Sequence, residues 1–183
     1  MTRIAILSAL LTCAIGGVAV RANAPAANAD VFAIYLVADA VDATITGYGR
    51  GDWSRLRLEA SPLITGDDLV SYEWSTHSMK LRPDALAKIP ARPSVSGKPF
   101  VVVANGKSVY LGVFLSILSS ASFAVPTIRV DAQMVSPNQP PDTLVIDRAY
   151  PSPSFGAGPD PRGDERIKAA LTASGKLRLL YCP

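Results

Sequence analysis

The feature that most constrains the fold is the stretch GKPFVVVANGKSVYLG, residues 97–112. In it an apolar run, Phe100–Ala104, meets Asn105-Gly106, and the alternating segment Lys107–Leu111 follows. Asn-Gly between two strand-like runs is a strong signal for a β-hairpin, because both turn residues tolerate a positive φ angle. The stretch therefore predicts two antiparallel strands at the centre of a sheet. It offers no nucleophile–base pair, metal ligands or phosphate loop, so it indicates a structural role.

The first 29 residues have the pattern of an export signal. Arg3 precedes the uncharged apolar run Ile4–Val20, and Ala27-Asn28-Ala29 fits the small-x-small rule for cleavage. We predict cleavage after Ala29, which leaves residues 30–183 as one exported domain, periplasmic or secreted. Two alternatives stay open: the run could be retained as an anchor, or Cys13 could carry a lipid. A retained signal segment is the one contact with a membrane that we expect.

Charge and the counts of cysteine and histidine exclude several classes of function. The chain has 18 Lys and Arg and 15 Asp and Glu. Loss of Arg3 and Arg21 with the signal leaves 16 against 15, close to neutral, and the basic residues are dispersed, so we expect no nucleic-acid partner. The mature chain keeps one cysteine, Cys182, and one histidine, His77. An internal disulfide and a Cys/His zinc cluster are thereby excluded, and we expect no metal and no cofactor, while Cys182 is either free or bridged to another molecule.

The remaining pattern predicts a compact single α+β domain with a mixed or antiparallel sheet and two or three short helices. Strands are predicted at residues 31–38, 55–60, 71–74, 78–81, 127–130, 143–147 and 177–181. Helices are predicted from Pro83 onwards and after the N-cap Asp164. Val113–Ser122 fits both helical and strand spacing, and we favour the helix. Thr65–Asp68 has the spacing of a capping box, with Asp in the last place.

The order of motifs in residues 59–128 resembles the periplasmic head subdomain of the export proteins SecD and SecF. The family's two motifs are matched at Pro62, Thr65 and Asp68, and at Gly97, Pro99 and Gly106. Asn105 stands where the family usually has Asp. The matching positions are turn and cap residues, so the resemblance implies the fold of this region. The function that it suggests is an accessory role in protein export.

His77 is the candidate catalytic base, with Asp68 and Glu73 as its nearby carboxylates. These residues would serve a small envelope hydrolase. A catalytic histidine needs a nucleophile within hydrogen-bond distance and a group that orients the ring, and the sequence has no G-x-S-x-G motif. We therefore favour the interpretation that His77 is a turn residue and that the carboxylates cap a helix or face solvent.

Tyr72, Trp74 and His77 form a local aromatic cluster, and Tyr72 and Trp74 share one face of a strand by the two-residue period. Exposed aromatic side chains would mark a binding surface, and packing in the core is the alternative. The Gly-rich stretch Phe155–Gly158 lacks the strand–helix context of a nucleotide loop. The function favoured by the sequence is an exported cell-envelope binding or interaction module without catalytic activity. Its partner would be an unidentified envelope protein or a small ligand.

Overall fold

A computed structural model describes residues 32–38, 56–89 and 94–179, and these residues form mostly β structure. Within these ranges nine strands make one curled mixed sheet in the order β2-β1-β5-β6-β7-β8-β4-β3-β9. The strands are β1 (Phe32–Leu36), β2 (Ile64–Thr65), β3 (Leu69–Glu73), β4 (Ser78–Leu81), β5 (Lys98–Ala104), β6 (Lys107–Leu115), β7 (Thr127–Arg129), β8 (Thr143–Asp147) and β9 (Leu177–Arg178). The predicted α+β class with two or three helices is therefore wrong.

The predicted Asn-Gly hairpin is confirmed, and its two strands are internal to the sheet, third and fourth in the order of the described strands. Strands β5 and β6 pair antiparallel, and Asn105 and Gly106 adopt φ angles of 50° and 71°, as a type I′ turn requires. Val102 pairs with Tyr110 but Val103 pairs with Ser108, so Val109 is an extra residue in β6. This β-bulge bends the strand and redirects the side chains beside it.

The helix favoured at Val113–Ser122 is wrong, because β6 continues to Leu115. Val113 to Leu115 are all buried, so the strand is covered on both faces. A strand buried on both faces reads as a continuous apolar run, which periodicity cannot distinguish from a buried helix. The strand ends where Asp131 accepts hydrogen bonds from Ser116 Oγ at 2.6 Å and from Ile117 N at 2.8 Å.

The described residues include one α-helix longer than four residues, α2 (Glu165–Ala173). Its prediction is confirmed: Asp164 caps it by accepting a hydrogen bond from Arg166 N, and Gly175 follows it with a φ of 69°. Its buried residues Ile167, Ala170 and Leu171 belong to the largest apolar cluster and pack against β1 and β5. The other predicted helix, α1 (Pro83–Leu86), has four residues.

The remaining strand predictions have mixed outcomes. The strands predicted near residues 31–38, 71–74, 78–81, 127–130 and 143–147 are confirmed with small shifts of their ends. The segment predicted as a strand at 55–60 contributes one isolated bridge, Leu58 to Val37. The closing strand has two described residues and pairs parallel with β3. Short connections are 3-10 turns at Gly66–Asp68, Ala132–Met134, Pro153–Phe155 and Pro161–Gly163.

Several predictions fall outside the described residues, namely the signal peptide at residues 1–29, Cys13 and Cys182. Of the helices within the described ranges, none combines the length and apolarity needed to cross a membrane.

Candidate functional site

The aromatic residues predicted from the sequence meet at the turn between β3 and β4. Tyr72 is buried with 1% of its surface exposed, whereas Trp74 and His77 are half-buried. His77 occupies the turn with a φ of 50°, and its ring lies edge-on to Trp74 at 5.6 Å between centroids. Lys168 Nζ lies 5.7 Å from the Trp74 ring centroid, a cation–π contact. Trp74 and His77 are thus the members of the cluster that solvent reaches.

The two carboxylates proposed to assist His77 have other partners. Asp68 accepts hydrogen bonds from Thr65 N and from Lys88 Nζ, each at 2.8 Å, which confirms the predicted capping box. Burial raises the pKa of Asp68, but the hydrogen bonds from Lys88 and Thr65 outweigh this and hold it below its usual 3.8. Glu73 accepts a hydrogen bond from Ser75. These contacts connect turns and strands of the fold.

His77 instead pairs with Tyr72, whose hydroxyl lies 3.1 Å from His77 Nδ1. Burial raises the pKa of Tyr72, so its phenol keeps its proton at neutral pH. Burial also lowers the pKa of His77, and the positive charge of Arg162 lowers it further, while Asp160 acts in the opposite direction. A neutral imidazole is therefore favoured, and its Nδ1 is engaged whichever of the two groups donates the proton.

We expect the protein to lose stability as the pH falls below about 6.5, the usual pKa of histidine. Because the pKa of His77 is lower in the folded state, the unfolded chain binds the proton first. The stabilisation is complete above about pH 6.5 and is lost as the pH falls through the folded pKa. Urea unfolding between pH 5 and pH 8 measures this loss.

The matched variant is His77→Asn, because asparagine accepts the positive φ of this position and does not titrate. The unfolding free energy of the wild type minus that of the variant should decrease as the pH falls, because only the wild type contains the titrating histidine. If the unfolding free energies of wild type and variant instead run parallel with pH, protonation of His77 does not cause the loss of stability.

A cleft of about 210 Å³ opens beside the middle of β6, and we call it the β6 cleft. Its walls come from three stretches that are distant in sequence, residues 109–111 of β6, residues 124–126 and the loop 156–161, and Arg148 adds a fourth contribution. The lining residues are Val109, Tyr110, Leu111, Ala124, Val125, Pro126, Arg148, Gly156, Ala157, Pro159 and Pro161. Most of these side chains are apolar, and Arg148 is their one charged member.

The bulge and two loop contacts hold the walls of the β6 cleft in place. Val109, the extra residue of the bulge, begins the β6 wall. Ala157 N donates to Ala124 O at 3.2 Å and so joins the other two walls. Arg162 Nη1 donates to Ile146 O at 2.7 Å, and its Nη2 lies 2.6 Å from Asp160 Oδ2. These bonds fix the segment that carries Pro159 and Pro161.

Arg148 lies along the loop wall of the cleft. Its Nη2 donates to Gly158 O at 2.7 Å, and a Cβ built on Gly156 would lie 2.9 Å from its Nε. Within the part of the chain that the structure describes, no carboxylate forms an ion pair with Arg148. The neighbouring arginines differ, since Arg129 pairs with Asp147 and Arg162 pairs with Asp160. Among the described residues, Arg148 therefore brings a positive charge without a carboxylate partner to the mostly apolar lining of the cleft.

The sequence prediction missed the residues of the β6 cleft. The signal that was available is the long Pro- and Gly-rich stretch from Pro151, since long loops often carry binding residues. The same stretch includes Phe155–Gly158, which lacks the context of a nucleotide loop. In the structure Gly156 and Ala157 line the cleft instead.

Across residues 32–38, 56–89 and 94–179, no three His, Cys, Asp or Glu side chains are grouped so that they could hold a metal ion.

Comparisons with protein-family models, with curated proteins and with solved structures find no match to this chain. The resemblance to the SecD and SecF head subdomain stays a prediction.

Proposed function

We propose that the protein is an exported binding module of the cell envelope, and that its site is the β6 cleft. The observation that carries this proposal is a preformed hollow with mostly apolar walls and one guanidinium that has no ion pair among the described residues. Ligand sites commonly combine apolar walls with a few placed polar groups. The export part of the proposal rests on the pattern of the N-terminal residues.

The size of the cleft limits the ligand. Sites for drug-sized molecules usually measure about 300–1,000 Å³, and the β6 cleft measures about 210 Å³. It suits a compact organic molecule or a single side chain of a partner protein. The location of Val109 supports a binding role, because β-bulges are frequent beside functional sites, where they redirect side chains.

The rival function is a small hydrolase centred on His77, and the contacts of His77 favour it less. Its Nδ1 is engaged by Tyr72, while Asp68 and Glu73 bond elsewhere. In the triad arrangement one nitrogen of the histidine is oriented by a carboxylate and the other activates the nucleophile. A phenol whose pKa is raised by burial supplies no negative charge to stabilise an imidazolium.

The experiment is a ligand-observed NMR screen of compact acids, amides and alcohols against the mature protein. Ala124→Phe fills the cleft from one wall, and Ala121→Phe is its matched control, since Ala121 is exposed and outside the lining. We expect ligands that bind the wild type and the control to lose binding to Ala124→Phe. Equal binding by both variants would refute the β6 cleft as the site.

A further inference from the structure

We infer that the β6 cleft selects a small monocarboxylate with a compact apolar body, and that Arg148 binds the carboxylate. This inference rests on the proposed function and names the ligand class for the same site. The first observation is the charge of Arg148. Among the described residues, Asp147 pairs with Arg129 and Asp160 pairs with Arg162, and no carboxylate forms an ion pair with Arg148.

The geometry of Arg148 leaves donors for a ligand. A guanidinium has five N–H donors in a planar fork, which matches a carboxylate. The hydrogen bond from Nη2 to Gly158 O uses one of them. The same bond, with the close approach to Gly156, fixes the direction of the side chain before a ligand arrives. A preorganised group loses less conformational freedom on binding and so contributes more affinity.

The other walls favour an apolar body over a larger or more highly charged anion. The residues Val109 and Val125 of the lining have aliphatic side chains, and the lining prolines have no backbone N–H. A dianion such as phosphate would lose its hydration here and gain only one neutralising side chain. Burial raises the pKa of Tyr110, which keeps this lining residue uncharged at neutral pH. A monoanion with a small ring or a short branched chain fits both the charge and the volume.

The test compares benzoate with benzamide, which have nearly the same shape and differ in charge, on the folded mature protein. Dissociation constants from NMR titration should be at least about tenfold lower for benzoate, as expected when a hydrogen bond to a charged group is gained. Arg148→Gln should remove this preference, and Arg148→Lys should keep part of it. Inorganic phosphate is the probe for charge alone, and it should bind more weakly than benzoate.

Arg178→Gln is the matched control, because Arg178 also hydrogen-bonds only to carbonyl groups among the described residues and lies outside the cleft. It should leave the preference for benzoate unchanged. Equal affinities for benzoate and benzamide on the wild type would overturn the inference. So would an Arg148→Gln variant that weakens both probes equally, because Arg148 would then only support the loop.

Two further arms separate the possible sources of the carboxylate and the two proposals. A short peptide that ends in a free carboxylate is compared with its C-terminal amide, and binding tighter than that of benzoate would assign the carboxylate to a peptide terminus. Suppose that the wild type binds benzoate and benzamide equally and that Ala124→Phe binds neither. That result would support the β6 cleft as the site and reject the carboxylate as the group it selects. Benzoate binding that Ala124→Phe leaves intact would reject the cleft itself.

Discussion

Replacing Gly112 by alanine is expected to lower the free energy of unfolding by about 3 kcal/mol, at the upper end of the cost of overpacking a core. Gly112 pairs directly with Phe100 across β5 and β6, and the Phe100 ring is fully buried over it. A Cβ at Gly112 would lie 2.7 Å from Phe100 Cε2 and 2.8 Å from Cε1. The ring has little room to move, because Phe114 packs against it at 4.8 Å between centroids.

Urea unfolding of Gly112→Ala measures this cost, and Gly163→Ala is the matched control. A Cβ at Gly163 meets no atom within 4 Å and the residue has no positive φ, so the control should change stability by less than about 0.5 kcal/mol. Phe100→Leu introduced together with Gly112→Ala should cost less than the sum of the single variants, since the smaller side chain relieves the clash. An unchanged midpoint for Gly112→Ala would contradict the register of the β5–β6 hairpin.

Replacing Arg162 by alanine is expected to lower the free energy of unfolding by about 2–3 kcal/mol, because a buried carbonyl and a carboxylate lose their donors. The hydrogen bond from Arg162 holds the pKa of Asp160 below its usual 3.8, so the pair is ionised at neutral pH. The Arg162 side chain is 15% exposed and also donates to Ile146 O. Because Ile146 N in turn donates to His77 O, the hydrogen bond from Arg162 to Ile146 also supports the β3–β4 turn.

Arg166 offers a matched control within the same segment. It pairs with Asp164 at the same spacing and with the same atoms, but its side chain is 47% exposed. Exposed pairs contribute about 0–1 kcal/mol, so Arg166→Ala should be nearly neutral. Arg162→Ala should also weaken benzoate binding, since Pro159 and Pro161 lose their anchor. Equal effects of the two variants on stability and on binding would show that Arg162 does not position the cleft.

Local features of the sequence predicted local structure well. The Asn105-Gly106 turn, the Thr65–Asp68 capping box and the ends of α2 each depend on residues within a few positions of one another. The prediction of a helix at Val113–Ser122 was wrong, because burial on both faces of β6 removes the alternation that marks a strand. Such burial depends on what packs against a strand, which local sequence does not contain.

The aromatic cluster could be predicted from the sequence, and the β6 cleft could not. Tyr72, Trp74 and His77 were found because they are close in sequence, and the structure does bring them together. The β6 cleft was missed because its three walls, residues 109–111, 124–126 and 156–161, meet only through tertiary contacts. The lack of an ion pair at Arg148 was missed for the same reason, because it depends on the fold pairing Asp147 with Arg129 and Asp160 with Arg162.

The location of binding distinguishes the β6 cleft from the aromatic cluster at the β3–β4 turn, and one measurement decides between them. It is the map of backbone amide chemical shifts of residues 30–183, the chain without its predicted signal segment, as benzoate is added. We expect the amides of Tyr110, Ala124 and Ala157 to shift together and to saturate with one dissociation constant. Shifts that centre on Trp74 and His77 and leave the cleft amides unchanged would contradict the proposed site.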